Sequence, residues 1–269
     1  MITAKNFIEI PEVNKYFGDK FIKPKGINSK PVIVASTRYP QVVGTAIDIA
    51  LKIFLAKKFG NPFPSSDCTI HPEFEVDELS EVYVSDLVET LHEQYRDGLL
   101  KQSSLIEASL IFALNDSFMK SGILPTESWG AYFDIIPEIS SLFENSSKAF
   151  DGFRDVVFSP DFTNLIPGLI AEGDIIVDGA LIDIKTVSEK GIKKKDFNRL
   201  VLYFIICKMH PQFKDKVKRI GFFFSRQSSL EVFDPGDIMD LKQISEFQQQ
   251  IKTFVDDISI VNEVFPGHY

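Results

Sequence analysis

Residues 172 to 187 read EGDIIVDGALIDIKTV, two apolar runs broken by Asp178-Gly179. An Asp-Gly pair between such runs is a favoured two-residue hairpin turn, because both central positions need positive φ. The turn fixes the register: Val177 faces Ala180, Ile176 faces Leu181, Ile175 faces Ile182, and Asp174 faces Asp183. Strand side chains alternate, so Glu172, Asp174, Asp183 and Lys185 share one face and Ile175, Val177, Ala180, Ile182 and Ile184 share the other. The apolar face is expected to be core, and the opposite face to carry charge at one end.

Like charges directly opposite each other across two strands are destabilising, so the facing aspartates call for something positive between them. Lys185 supplies part of it. Two converging carboxylates also suit a hard, oxygen-seeking divalent cation such as Mg²⁺ or Mn²⁺. Such an ion polarises a phosphoryl oxygen and acidifies a bound water, and Lys185 stands where it can orient that water or steady developing charge. The chemistry is phosphodiester hydrolysis. The alternative is plainer: Asp174 is a solvated strand start, and Asp183 and Lys185 form an exposed salt bridge on a half-wet sheet.

The rest of the chain makes room for such a site. Its 269 residues are 44% apolar, enough for a substantial core. PVIVAS at 31–36 reads as β-like within an otherwise irregular segment 1–40 that holds Pro11, Pro24, Pro31 and Pro40. QVVGTAIDIALKIFLAKKF, 41–59, is apolar around most of its circumference, as in a helix buried on several sides. Residues 76–150 read as several helices, among them the acidic VSDLVETLHEQYRDGLL and the amphipathic SSLIEASLIFALNDSFMKSG. Beyond Val156 come the hairpin, a lysine-rich link, a helix over Asp196–His210, two strands in RIGFFFSRQSSLEVF, and a long helix from about Asp240 to Glu263. This order predicts an α/β fold with a helical insertion.

The residues around the hairpin resemble the PD-(D/E)XK nuclease superfamily, most closely its RecB-like and phage lambda exonuclease-like branches. Asp174 followed by Asp183-Ile184-Lys185 carries the likeness. Gly44-Thr45-Ala46-Ile47-Asp48 resembles the G-x-x-x-H element of that branch, with Asp48 in the place of its histidine. Asp48 is then either a metal ligand or the partner of Lys52 one turn later. Arg199-Leu200-Val201-Leu202-Tyr203 resembles its Q-x-x-x-Y element, with Arg199 where glutamine is expected and Asn198 beside it. Four-residue spacing puts Arg199 and Tyr203 on one helix face. Arg199 there either contacts a phosphate or neutralises the acids and leaves an inactive fold.

The resemblance implies one restriction-endonuclease-like domain over 1–269, a central mixed sheet flanked by helices, with its helical insertion at about 76–150 and its catalytic core at about 156–235. It implies a Mg²⁺- or Mn²⁺-dependent deoxyribonuclease, exonuclease-like, with Asp48, Asp174, Asp183 and the Ile184 carbonyl as metal ligands. Lys185 and Tyr203 join the two strand acids in catalysis, and Glu172 and Asn198 are accessory. Lys193, Lys194 and Lys195, with Arg199, would hold DNA. The competing implication is a silent module of the same fold that binds nucleic acid or scaffolds a complex.

Charge and motifs narrow the alternatives. A net charge of −9 offers no global field for a polyanion, so any DNA contact must be local, and Lys190 to Lys195 is the segment that supplies it. No G-x-x-x-x-G-K-[ST], H-E-x-x-H, C-x-x-C or G-x-S-x-G occurs. The four histidines are scattered without ligand spacing, and the 25 phenylalanines with Trp129 read as packing residues. Arg38 and Arg226 are further candidates to reach DNA. Two distant cysteines and an apolar run no longer than about Leu200–Cys207 lead us to expect a reduced, cytoplasmic protein without a membrane span. A second copy or an accessory protein is left open as a further partner.

Overall fold

The computed structural model describes residues 1–24, 31–35, 39–65, 68–70, 78–121, 132, 134–188 and 191–264. Five strands form one mixed sheet: β2 (Val156–Phe158), β4 (Ile175–Val177), β5 (Ala180–Lys185), β6 (Arg219–Phe224) and β7 (Ser229–Phe233), side by side in that order. Within this sheet β5 and β6 run parallel, joined by a crossover through a helix as a parallel pair requires, and the other neighbours are antiparallel. A second, two-stranded sheet pairs β1 (Ile2–Thr3) with β3 (Leu169–Ile170). The fold is mixed α/β, as expected.

Helices cover both faces of the large sheet. On one side lie α1 (Ala4–Glu9), α2 (Pro11–Lys20), α7 (Lys194–Cys207) and α8 (Ile244–Val264), packed on Ile176, Leu181, Ile220, Phe222 and Phe224. On the other lie α3 (Pro40–Lys58), α5 (Gln102–Ser121) and α6 (Ile136–Lys148), packed on Ile175, Val177, Ile182, Ile184 and Phe223. α4 (Glu78–Arg96) packs on α5 from outside. The alternative of an exposed salt bridge on a half-wet sheet is thereby corrected. Both faces are core, and the charges of β5 lie at its carboxyl end, where Asp183 and Lys185 follow Leu181 on the α7 side.

Local chemistry explains where other expectations miss. The amino-terminal segment is helical because Thr3 caps α1, its Oγ1 accepting from Asn6 N–H at 3.2 Å, and because Pro11 occupies the first turn of α2, where its missing N–H costs nothing. Residues 31–35 form no strand; the N–H groups of Val32 and Ile33 both donate to the Arg226 carbonyl, at 2.7 and 3.2 Å. The last helix starts at Ile244, after Asp240 accepts from Lys242 N–H at 3.0 Å and opens a short 3₁₀ turn, Leu241–Gln243. The proposed insertion contains α4, α5 and α6, while Trp129 and Arg38 lie outside the described residues. Cys68 and Cys207 are buried and are not joined in a disulfide. Among the described residues, no helix is long and apolar enough to cross a membrane.

Candidate active site

The turn of the hairpin adopts the geometry that its sequence asks for. Asp178 and Gly179 have φ of 43° and 74°, and the ladder pairs Val177 with Ala180, Ile176 with Leu181 and Ile175 with Ile182. Asp178 Oδ1 also accepts from the N–H groups of Arg154 and Asp155, at 3.0 and 2.8 Å, which ties the turn to the chain entering β2. Beyond Ile175 the ladder ends, and the side chain of Asp174 takes over: its Oδ2 accepts from the Ile184 N–H at 2.6 Å.

Asp183 is 3% exposed in the middle layer of the protein. A carboxylate so placed needs compensation. Arg199 Nη2 lies 3.1 Å from its Oδ1, and the Lys185 ammonium contacts its Oδ2. Asp196, at the start of α7, stands 3.6 Å from Arg199 Nη2 and 3.9 Å from Lys185 Nζ. Two cations and two carboxylates therefore form one network between β5 and α7.

The third acid comes from α3. Asp48 Oδ2 lies 3.0 Å from Lys52 Nζ, which in turn donates to Ser159 Oγ at 3.1 Å. The pairing with Lys52 is real, yet it uses one oxygen only: Asp48 Oδ1 is buried and has no hydrogen-bond partner. Burial pushes the Asp174 carboxyl up to about 7, and the negative charges of Asp183 and then Asp48 add to the rise, against Lys185 and Lys52. The residue as a whole keeps some surface open to solvent, which tempers the effect. Asp174 thus feels the charge of Asp183 on β5 and of Asp48 on α3.

A cleft of about 590 Å³ opens beside them. Gly44, Asp48 and Lys52 of α3, Glu172, Gly173 and Asp174 ahead of β4, and Ile184 and Lys185 of β5 line it. The far wall is the outer end of α5, with Asn115, Asp116, Met119 and Lys120. These α5 residues escaped the sequence reading, and Lys52 entered it only as a partner for Asp48. Only the amphipathic period of α5 hinted at an exposed edge there, with Met119 49% exposed and an Asp116–Lys120 ion pair of 2.7 Å.

The remaining candidates lie apart from the cleft. Tyr203 follows Arg199 on α7 and is nearly buried; burial raises its hydroxyl well above the ordinary tyrosine value, with Arg199 opposing. Asn198 is buried and its Nδ2 donates to Asn14 Oδ1 of α2 at 3.4 Å, away from the acids. Lys195 pairs with Glu9 of α1 at 3.3 Å, the Lys194 side chain lies over Gly18 of α2, and Lys193 precedes α7; none of the three lines the cleft. Lys190 lies outside the described residues. Arg226, expected to be able to reach DNA, is instead 1% exposed and paired with Glu138 at 2.6 Å.

The donor set is all oxygen and net negative, and the unpartnered Asp48 Oδ1 faces a site where acidic charge is in excess; in type and charge it fits a hard divalent cation. In arrangement it is incomplete, since among the described residues no three His, Cys, Asp or Glu side chains converge on one point. Asp183 is the member held back, by Arg199 and Lys185. No family model, curated protein or solved structure matches the chain.

Proposed function

We propose that the protein is a divalent-metal-dependent nuclease of the PD-(D/E)XK type, acting on DNA from the cleft between α3, α5 and the hairpin. The observation that carries this is that Asp48 of α3 and Asp174, just ahead of β4, line one cleft beside Lys185 of β5, whose ammonium contacts Asp183. A buried carboxyl whose ionisation neighbouring acids oppose is costly to charge unless a cation joins it, and functional sites are where such groups are kept.

Asp48 and Asp174 would hold Mg²⁺ or Mn²⁺, completed by Asp183 and the Ile184 carbonyl; the ion would supply Lewis-acid polarisation of a phosphoryl oxygen and an acidified water. Lys185, within the cleft and anchored on Asp183, has the charge to steady a pentavalent phosphate and to orient the attacking oxygen. Lys52 and Lys120 on opposite walls, each paired with an acid of its own helix, are the further cations that a phosphate backbone would meet there once a metal ion offsets the acids.

One observation favours a second function: Asp183 already carries two cationic partners, as a silent nuclease-fold module that binds nucleic acid would have it. Incubating purified protein with linear and circular DNA in Mn²⁺, and again in chelator, distinguishes them, with Asp174→Asn as control. Metal-dependent cleavage lost in the variant supports the nuclease, and preference for linear DNA makes it an exonuclease. Binding of DNA with no cleavage in any metal supports the silent module.

A further inference from the structure

Arg199 holds a position between two acids. Its Nη2 is 3.1 Å from Asp183 Oδ1 and 3.6 Å from Asp196 Oδ1, one turn before it on α7. Its Nε is buried without a hydrogen-bond partner, so the guanidinium is not fully satisfied where it stands. A guanidinium has five N–H donors in a rigid fork, and a small rotation toward Asp196 exchanges one carboxylate for the other without exposing the charge to a long path. Asp183, at 3% exposure, has no solvent to replace a lost cation. Without Arg199 only the Lys185 ammonium would remain to face it, so release of Arg199 is costly until another positive charge arrives.

We propose that Arg199 is the resident counter-cation of the acid cluster, a positioning residue that occupies Asp183 while the metal is away and withdraws to Asp196 when a divalent ion binds. This rests on the metal-dependent function proposed above. Arg199 then sets the metal affinity, because the binding-competent arrangement is only the fraction of molecules in which Asp183 is free, and the apparent dissociation constant rises by the inverse of that fraction. Asp196 is the other half of the device. Its carboxylate stabilises the withdrawn arrangement, so Arg199 and Asp196 have opposite effects on metal binding.

Mn²⁺ titration by calorimetry on chelator-stripped protein, with thermal melting in chelator, tests this on wild type, Arg199→Gln and Asp196→Asn. Arg199→Gln is expected to bind Mn²⁺ on the order of tenfold more tightly and to melt several degrees lower in chelator, because Asp183 loses a partner. Asp196→Asn is expected to bind several-fold more weakly and to melt close to wild type. Should Arg199→Gln not fold without metal, the weakened binding of Asp196→Asn still decides the matter. Wild-type affinity in both variants, or a shift in the same direction in both, overturns the role of Arg199 while leaving the metal site intact. Absence of Mn²⁺ binding in all three proteins overturns the metal site itself, and the role of Arg199 with it.

Discussion

Asp174 accepts a hydrogen bond from the backbone N–H of Ile184 at 2.6 Å, where the next rung of the β4–β5 ladder would have been. A side chain thus completes the pairing of a strand that has already ended. The bond pins one oxygen of Asp174 to the peptide that joins Asp183 to Ile184, one residue before Lys185, so the three charged residues share a rigid frame. A slip of one residue in the turn would remove that peptide from reach and send one acid to the opposite face.

The same carboxyl makes stability depend on pH. Its value in the folded protein, about 7, lies above the ordinary 3.8, so between those two the folded chain holds more proton than the unfolded one, and stability falls as pH rises through that window. Asp174→Asn keeps an oxygen for the Ile184 N–H and removes the ionisation. In chelator, urea unfolding should give the two proteins similar stability at pH 5, and the variant an advantage of about 1–2 kcal/mol at pH 8, a figure reduced for solvent screening. A difference independent of pH would mean that Asp174 ionises like a surface aspartate.

The turn itself is intolerant of a larger residue. At Gly179, φ is +74° and an added Cβ would stand 2.7 Å from the Lys216 carbonyl oxygen, a backbone atom with little freedom to move. Gly179→Ala is expected to cost about 2–3 kcal/mol from the left-handed backbone and this clash together. Chemical denaturation measures it. Cleavage activity should fall further than stability alone accounts for, since the register of the acids depends on the turn.

Much of this was legible because it is local. Asp178-Gly179 fixes a register over a handful of residues, and the largely apolar surface of 41–59 says that its helix is buried on several sides. What was hidden is the identity of partners far along the chain. Arg199 and Asp183 are 16 residues apart, and only the crossover from β5 through α7 brings them together. The lysines at 193–195 looked like a DNA-binding run because nothing in their own neighbourhood shows that α1 and α2 come to rest beside them. Pro11 misled for a different reason: a proline breaks a helix from within but starts one at its first turn.

Arg226 and Glu138, 88 residues apart, make a pair that sequence could not have found. Both are buried, and the pair joins the turn after β6 to α6. Removing one partner strands the other charge, so Glu138→Gln or Arg226→Met should each lose about 3–5 kcal/mol in urea unfolding. Replacing both by leucine and methionine is expected to recover most of that loss. A double variant as unstable as the singles would show that the two side chains do not act as a pair.

Lys185 separates the catalytic function from the structural one most directly. Its ammonium touches Asp183 and its side chain borders the cleft. Lys185→Met keeps the apolar stem, and Arg199 remains to neutralise Asp183, so the fold should survive with a loss of about 1–2 kcal/mol. Charge developing on a phosphoryl group would lose the cation proposed to steady it, and turnover of linear DNA in Mn²⁺ is expected to fall about 10²–10³-fold. DNA affinity, measured in Ca²⁺ to prevent cutting, should change by no more than a few-fold, since Lys52 and Lys120 still line the walls. Equal losses in affinity and turnover would reassign Lys185 to substrate binding.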